Sequence, residues 1–190
     1  MRFLKLLVLY FHTVRYLKPV QIWGRIAFNL HTPKPDLRPP PLLRSFGLNW
    51  ERPVSRKQSQ LGDCRFRFLN VEQEISTAED WNSKLFEKLW LYNLHYFDDL
   101  NAHKADTRYE WHLNVLKRWI IENPPGLGAG WEPYPISLRV VNWIKWCLAG
   151  NELSETFKHS LAIQLRFLSR RLEFHLLGNH LLANAKALLF

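Results

Sequence analysis

Cysteine is scarce in this chain: the two residues, Cys64 and Cys147, stand far apart and in no metal-ligand spacing. Both read as small, buried, apolar side chains. The histidines offer no substitute. His175 and His180 are five apart, which does not place them on one helix face, so no metal and no cofactor are expected. Basic clusters are missing too. The formal net charge is +9, yet no run of five or more basic residues occurs. A nucleic-acid arm normally shows such a run. The charge therefore points to an acidic polysaccharide or a membrane surface rather than to nucleic acid. No internal repeat with a fixed period is visible.

The first residues, "MRFLKLLVLYFHTVRYLKP", resemble a secretion signal only at first sight. Lys5 interrupts the apolar run, Arg15 and Lys18 follow it, and no small-x-small cleavage site appears. The stretch is too short and too charged to span a membrane. It reads as an amphipathic helix, packed on the domain in the first instance, with peripheral membrane contact as the other option. A cytoplasmic or cell-envelope-associated location is expected.

Aromatic residues are abundant. They make up 14% of the chain, with nine Trp and twelve Phe, and 47% of all residues are apolar. Rings in such number fill a core, line a groove, or do both. The length suffices for one domain with a real core.

Pro19 should end the first helix and open a second, "VQIWGRIAFNL". Residues His31 to Pro53 are proline-rich and aperiodic, an extended connection over a surface or a linker. Residues 1–60 thus form N-terminal helices and a proline-rich connection, and 61–190 the main domain. "CRFRFLNV", Cys64 to Val71, alternates as a strand does and implies a small β element near residues 64–72. From Asp80 onward the pattern is helical. "WNSKLFEKLWLYNLHYFDDLNAH" is one long helix or two short ones. "RYEWHLNVLKRWIIEN" stops before Pro124, and Pro135 opens "ISLRVVNWIKWCLA". "LSETFKHSLAIQLRFLSRRLEFHLL" reads as the longest helix, ended at Gly178, and a last helix starts at Asn179. Short links favour antiparallel neighbours, as in a bundle, a solenoid or a toroid.

Three stretches join rings to polar heads. Tyr92, His95, Tyr96 and Asp99 share a helical face, as do Arg139, Asn142, Trp143 and Trp146. Trp131, Glu132 and Tyr134 lie in the preceding loop. A lone stripe of this kind is more often a core face. Three of them, each interleaved with hydrogen-bonding groups, describe a sugar groove, where rings stack on C–H faces and polar groups hold hydroxyls or carboxylates. Asn179 and His180 would occupy the first turn of the last helix, where free N–H groups favour an anion. Plain capping by Asn179 is the bland alternative.

"LWLYNLHYFDDL", "GWEPYPISLRVVNWIKW" and "EFHLLGNHLLANAKAL" together resemble the N-terminal helical domain of heparinase II/III-like polysaccharide lyases, from about Arg65 onward. The resemblance implies a mainly α fold, here an incomplete (α/α) toroid of antiparallel helical hairpins. It implies cleavage of uronic-acid polysaccharides by β-elimination. Asn179 matches the family's carboxylate-neutralising Asn, and His180 a neighbouring position that helps bind the carboxylate. The matching base and acid segments would lie downstream of Phe190, so the chain is expected to be a fragment or truncated product with little activity alone. A non-catalytic glycan-binding module on the same scaffold is the second reading. A glycoside hydrolase using Glu132 with Asp98 or Asp99 is a third.

Overall fold

The computed structural model describes residues 2–42, 50–51, 54–152 and 154–190. Two helices come first, α1 (Arg2–Val14) and α2 (Pro19–Leu30). α1 ends earlier than Pro19 requires, because the chain tightens through Arg15–Leu17. Pro19 takes the first position of α2, and the Gln21 side chain reaches back to the Lys18 N–H at 3.0 Å.

From His31 to Leu42 the chain is extended. It lies along α6 (Glu155–Ser169) and the turn beyond it. Arg166 donates to the carbonyls of Arg38 and Pro39 at 2.6 and 2.8 Å, and Arg171 to that of His31 at 2.6 Å. Proline carries no N–H, so these carbonyls need side-chain donors rather than a sheet partner. The rest of the proline-rich connection, residues 43–49 and 52–53, lies outside the described residues.

The expected strand is a hairpin. β1 (Arg65–Phe68) pairs antiparallel with β2 (Val71–Glu74), Phe68 opposite Val71. Leu69 and Asn70 both have positive φ, 53° and 63°, which a two-residue hairpin turn demands. Phe66 enters the core, and Phe68 packs edge-on against Trp90, whose indole N–H donates to Val71 O at 3.0 Å.

Four more helices complete the fold: α3 (Lys88–Tyr96), α4 (Tyr109–Glu122), α5 (Pro133–Leu148) and α7 (Gly178–Leu189). α3 stops because Phe97 turns left-handed, φ 58°, which drives its ring into Trp81, Trp119 and Trp143. Short 3-10 turns follow instead of more helix. α6 ends at Ser169 rather than running on to Gly178. The reason is tertiary. Asn184 of α7 binds the backbone N–H and the carboxylate of Glu173, at 2.9 and 3.0 Å, and holds that segment as a turn.

Partner pairs give the helix directions. Tyr92 meets Glu132 at the start of α5 and the Tyr96 carbonyl meets Asn142, so α5 runs with α3. Tyr109 stacks on Trp146 and Trp119 meets Trp143, so α5 runs against α4. Arg139 meets Gln164 and Trp143 meets Phe157, so α6 runs against α5. Tyr134 meets His180 and Ser137 meets Asn184, so α7 runs with α5. The fold is mainly α with one small antiparallel sheet, and α3, α5 and α7 point the same way.

The core lies between these layers. Trp81, Trp90, Trp119, Trp131, Trp143 and Trp146 are all buried, so most of the indoles are core rather than groove. Neither cysteine is fully buried, and Cys64 Sγ accepts from Arg118 at 3.0 Å.

Candidate functional site

One cluster gathers residues from three elements distant in sequence. α3 brings Tyr92 and Tyr96 one turn apart, and the start of α5 brings Glu132 and Tyr134. The first turn of α7 brings Asn179 and His180. The Tyr92 hydroxyl donates to Glu132, and Lys88 Nζ lies 3.1 Å from the same carboxylate. Tyr96 meets Tyr134 edge-on at 5.9 Å, and Tyr134 lies against the His180 ring at 4.4 Å. His180 Nδ1 stands 3.1 Å from Glu173 Oε1.

That last pair fixes a tautomer. A carboxylate only accepts, so Nδ1 carries the proton and Nε2 is left for a ligand. Glu173 is buried and also takes a bond from Asn184. Asn184, itself fully buried, donates to Ser137 Oγ at 3.0 Å on α5. His180 therefore rests on a backing that runs from α7 through the turn to α5.

Asn179 is exposed and makes no side-chain hydrogen bond among the described residues. It does not cap the helix: Leu177 holds the N-cap position, without a side-chain cap bond. The first N–H groups of α7 and the Asn179 amide are thus free donors beside the imidazole.

Burial pushes the Tyr92 hydroxyl pKa up, and the Glu132 carboxylate adds to the shift. Burial does the same for Tyr96, with Tyr134 and Asp98 adding. Neither phenol is easily deprotonated.

Six of the expected groove residues are buried, with Tyr96 at 7% and Asn142 at 6% lying just beneath the rim. His95, Trp131, Arg139 and Trp143 are in the interior, at 0%, 4%, 0% and 0% exposure. They support the rim from behind, since the stripes that carry them turn inward. His95 Nδ1 accepts from Trp119 Nε1 and its Nε2 faces Trp81 O, both at 3.0 Å. Both ring nitrogens are satisfied only in the neutral Nε2–H form, and burial, then Arg139, holds the pKa down at about 3. Arg139 donates to Gln164 Oε1, His95 O and Gly130 O, at 2.8, 3.2 and 2.8 Å, and lies 3.8 Å from the Trp119 ring centre. Asn142 ties down the end of α3, donating to Tyr96 O and to Asp98 Oδ1, both at 2.8 Å.

Asp99 is not available as a catalytic carboxylate. It accepts from the Ser59 and Gln60 N–H groups, Arg108 Nε and His112 Nε2, at 2.6, 3.0, 2.9 and 2.9 Å. Burial opposes its charge, but these donors win and hold it at about 2.

Sequence reasoning missed Glu173, Ser137 and Asn184. Asn184 follows His180 by four residues, which puts both on the inner face of α7, and that spacing was the available signal. The larger described cavities, of about 400 and 330 Å³, lie away from this cluster, around His103 and Lys104. The candidate site is an open rim, so enclosed volume is a poor guide to it. No metal-binding group of His, Cys, Asp and Glu occurs among the described residues.

Comparison with protein-family models, curated proteins and solved structures finds no match for this chain.

Proposed function

We propose that this chain supplies the carboxylate-neutralising side of a polysaccharide lyase acting on uronic-acid polymers, carried on an incomplete (α/α) toroid. The motif resemblance to heparinase II/III-like lyases suggests the reaction. The parallel run of α3, α5 and α7 with α4 and α6 opposed is consistent with the toroid. The observation that carries the reading is the His180 ring, backed by Glu173 and tilted against Tyr134, with the exposed Asn179 next to it in the first turn of α7.

In β-elimination the proton lost lies α to a carboxylate and is barely acidic while that group is charged. Asn179, the first N–H groups of α7 and His180 Nε2–H, when protonated, would hold the carboxylate and stabilise the enolate-like state. Tyr134 would give a sugar ring its apolar wall, with the buried Tyr96 packed edge-on behind it. Proton abstraction is assigned to neither Tyr92 nor Tyr96, whose hydroxyls are made less acidic by their surroundings. The same feature favours the second reading, a glycan-binding module without turnover.

The test is titration of the chain with a uronate oligosaccharide and with its carboxyl-reduced counterpart. The expected result is binding of the charged form alone, weakened about tenfold or more by Asn179→Ala or His180→Ala, as loss of a charge-assisted hydrogen bond implies. Equal binding of the reduced oligosaccharide would overturn the reading. Absorbance from an unsaturated product then separates a lyase from a binding module.

A further inference from the structure

The two N-terminal helices leave apolar faces uncovered. Val8, Leu9, Tyr10, Phe11 and Val14 of α1 are all exposed, Phe11 at 68%. A helix of 13 residues is marginal in water on its own hydrogen bonds. Tyr10, Phe11 and Val14 fall on one face, and in the sequence Phe3, Leu4 and Leu7 continue the same three-four spacing. α2 repeats the pattern: Val20, Trp23, Ile26 and Leu30 form an exposed row, Trp23 at 70% and Leu30 at 83%. Its other side is already engaged. A Cβ on Gly24 would come within 3.0 Å of the His175 backbone nitrogen, and Phe28 lies 4.3 Å from the His175 ring. Arg171 sits 4.0 Å over Phe28.

Charge selects the occupant. No Asp or Glu precedes Asp36, whereas Arg2, Lys5, Arg15, Lys18, Arg25 and Lys34 all do. A second copy of this segment would set like charge against like. An acid-free, aromatic-rich amphipathic helix has the composition of one that lies in the headgroup layer of an anionic bilayer. No helix among the described residues is long and apolar enough to cross a membrane, so the contact is peripheral. We propose that α1, with the outer row of α2, docks this protein on an anionic lipid surface. This inference does not depend on the glycan reading. It has a consequence for that site, because α2 leans on the turn that carries Glu173. A docked protein would hold the His180 cluster near the membrane.

The experiment is flotation of the full chain with vesicles of phosphatidylglycerol and phosphatidylcholine, and with phosphatidylcholine alone. The expected result is binding to the anionic vesicles, weaker by roughly tenfold or more without phosphatidylglycerol and reduced by added salt. Phe11→Glu and Trp23→Glu should each lower it by roughly tenfold or more at unchanged circular dichroism, since each puts a carboxylate where a ring is buried in lipid. Absence of flotation with anionic vesicles overturns the proposal, as does binding that survives both substitutions. So does a dimer in light scattering that Phe11→Glu abolishes in a protein that ignores vesicles.

Discussion

His95 and His180 stand at two ends of one question. Both lie on faces that combine rings with polar heads, and both precede short apolar runs. His95 sits in the interior behind α5, its two nitrogens committed to Trp119 and Trp81 and its surroundings closed. A Cβ on Gly130 would come within 2.7 Å of its Nδ1, so even the loop beside it is fitted to the ring. His180 sits on the rim at the start of α7, one nitrogen held by Glu173 and the other left over. His95 spends both ring nitrogens on structure, although its interior surroundings also hold unpartnered atoms, His112 Nδ1, Asn123 Oδ1 and Trp143 Nε1. The rim keeps donors in reserve, which is what a binding surface requires.

The contrast can be broken first at Arg139. Arg139→Met keeps much of the volume and leaves Gln164 Oε1, His95 O and Gly130 O without their donor. Loss of about 3 kcal/mol or more is expected in urea unfolding. A neutral result would mean that these polar bonds do not hold the interior.

The next effect is a pH dependence. His95 takes up a proton at about 3 when folded, against an ordinary 6.5. The unfolded chain therefore binds more protons between those values. The stabilising contribution is full above pH 6.5 and drains away as pH falls toward 3, at about 1.4 kcal/mol per pH unit. Asp99 acts with the same sign but only below its ordinary 3.8, down to about 2, so the two windows overlap only between about 3 and 3.8. Burial lowers His175 as well, which adds in the upper window. Denaturant midpoints between pH 7 and 4.5 should thus fall steeply in the native protein and less steeply in His95→Gln, which can both donate and accept.

The smallest effect belongs to the rim. His180 is partly exposed, and His180→Ala should change unfolding free energy by under about 1 kcal/mol. A loss as large as that of Arg139→Met would move His180 into the structural class and dissolve the contrast.

Much of the helical layout was legible in the sequence. Pro19 opening α2 and Pro124 closing α4 act through local backbone chemistry, which sequence displays. The hairpin was half visible. Alternation marked the strand, but Leu69 is no usual residue for positive φ, so the turn hid inside the apparent strand. The end of α6 was not legible, because Asn184 of the next helix imposes it from a distance. The site divided along the same line. Tyr92, Glu132, Tyr134 and His180 converge at the rim with Tyr96 buried just behind them, whereas His95, Arg139, Asn142 and Trp143 share the stripe pattern yet face the core. Helical spacing shows which residues share a face, and only the neighbouring helices decide which face is inside.

The bond from Asn184 to Ser137 makes the seating of α7 all-or-none. Greasy helices can slide along one another by a turn and bury similar area. Here such a slip would strand the Asn184 amide and the Glu173 carboxylate in the interior, at about 1–3 kcal/mol for each orphaned group. A hydroxyl on one helix and an amide on another thus act as an index pin. They fix, from well below the surface, the height at which the imidazole of His180 meets the solvent.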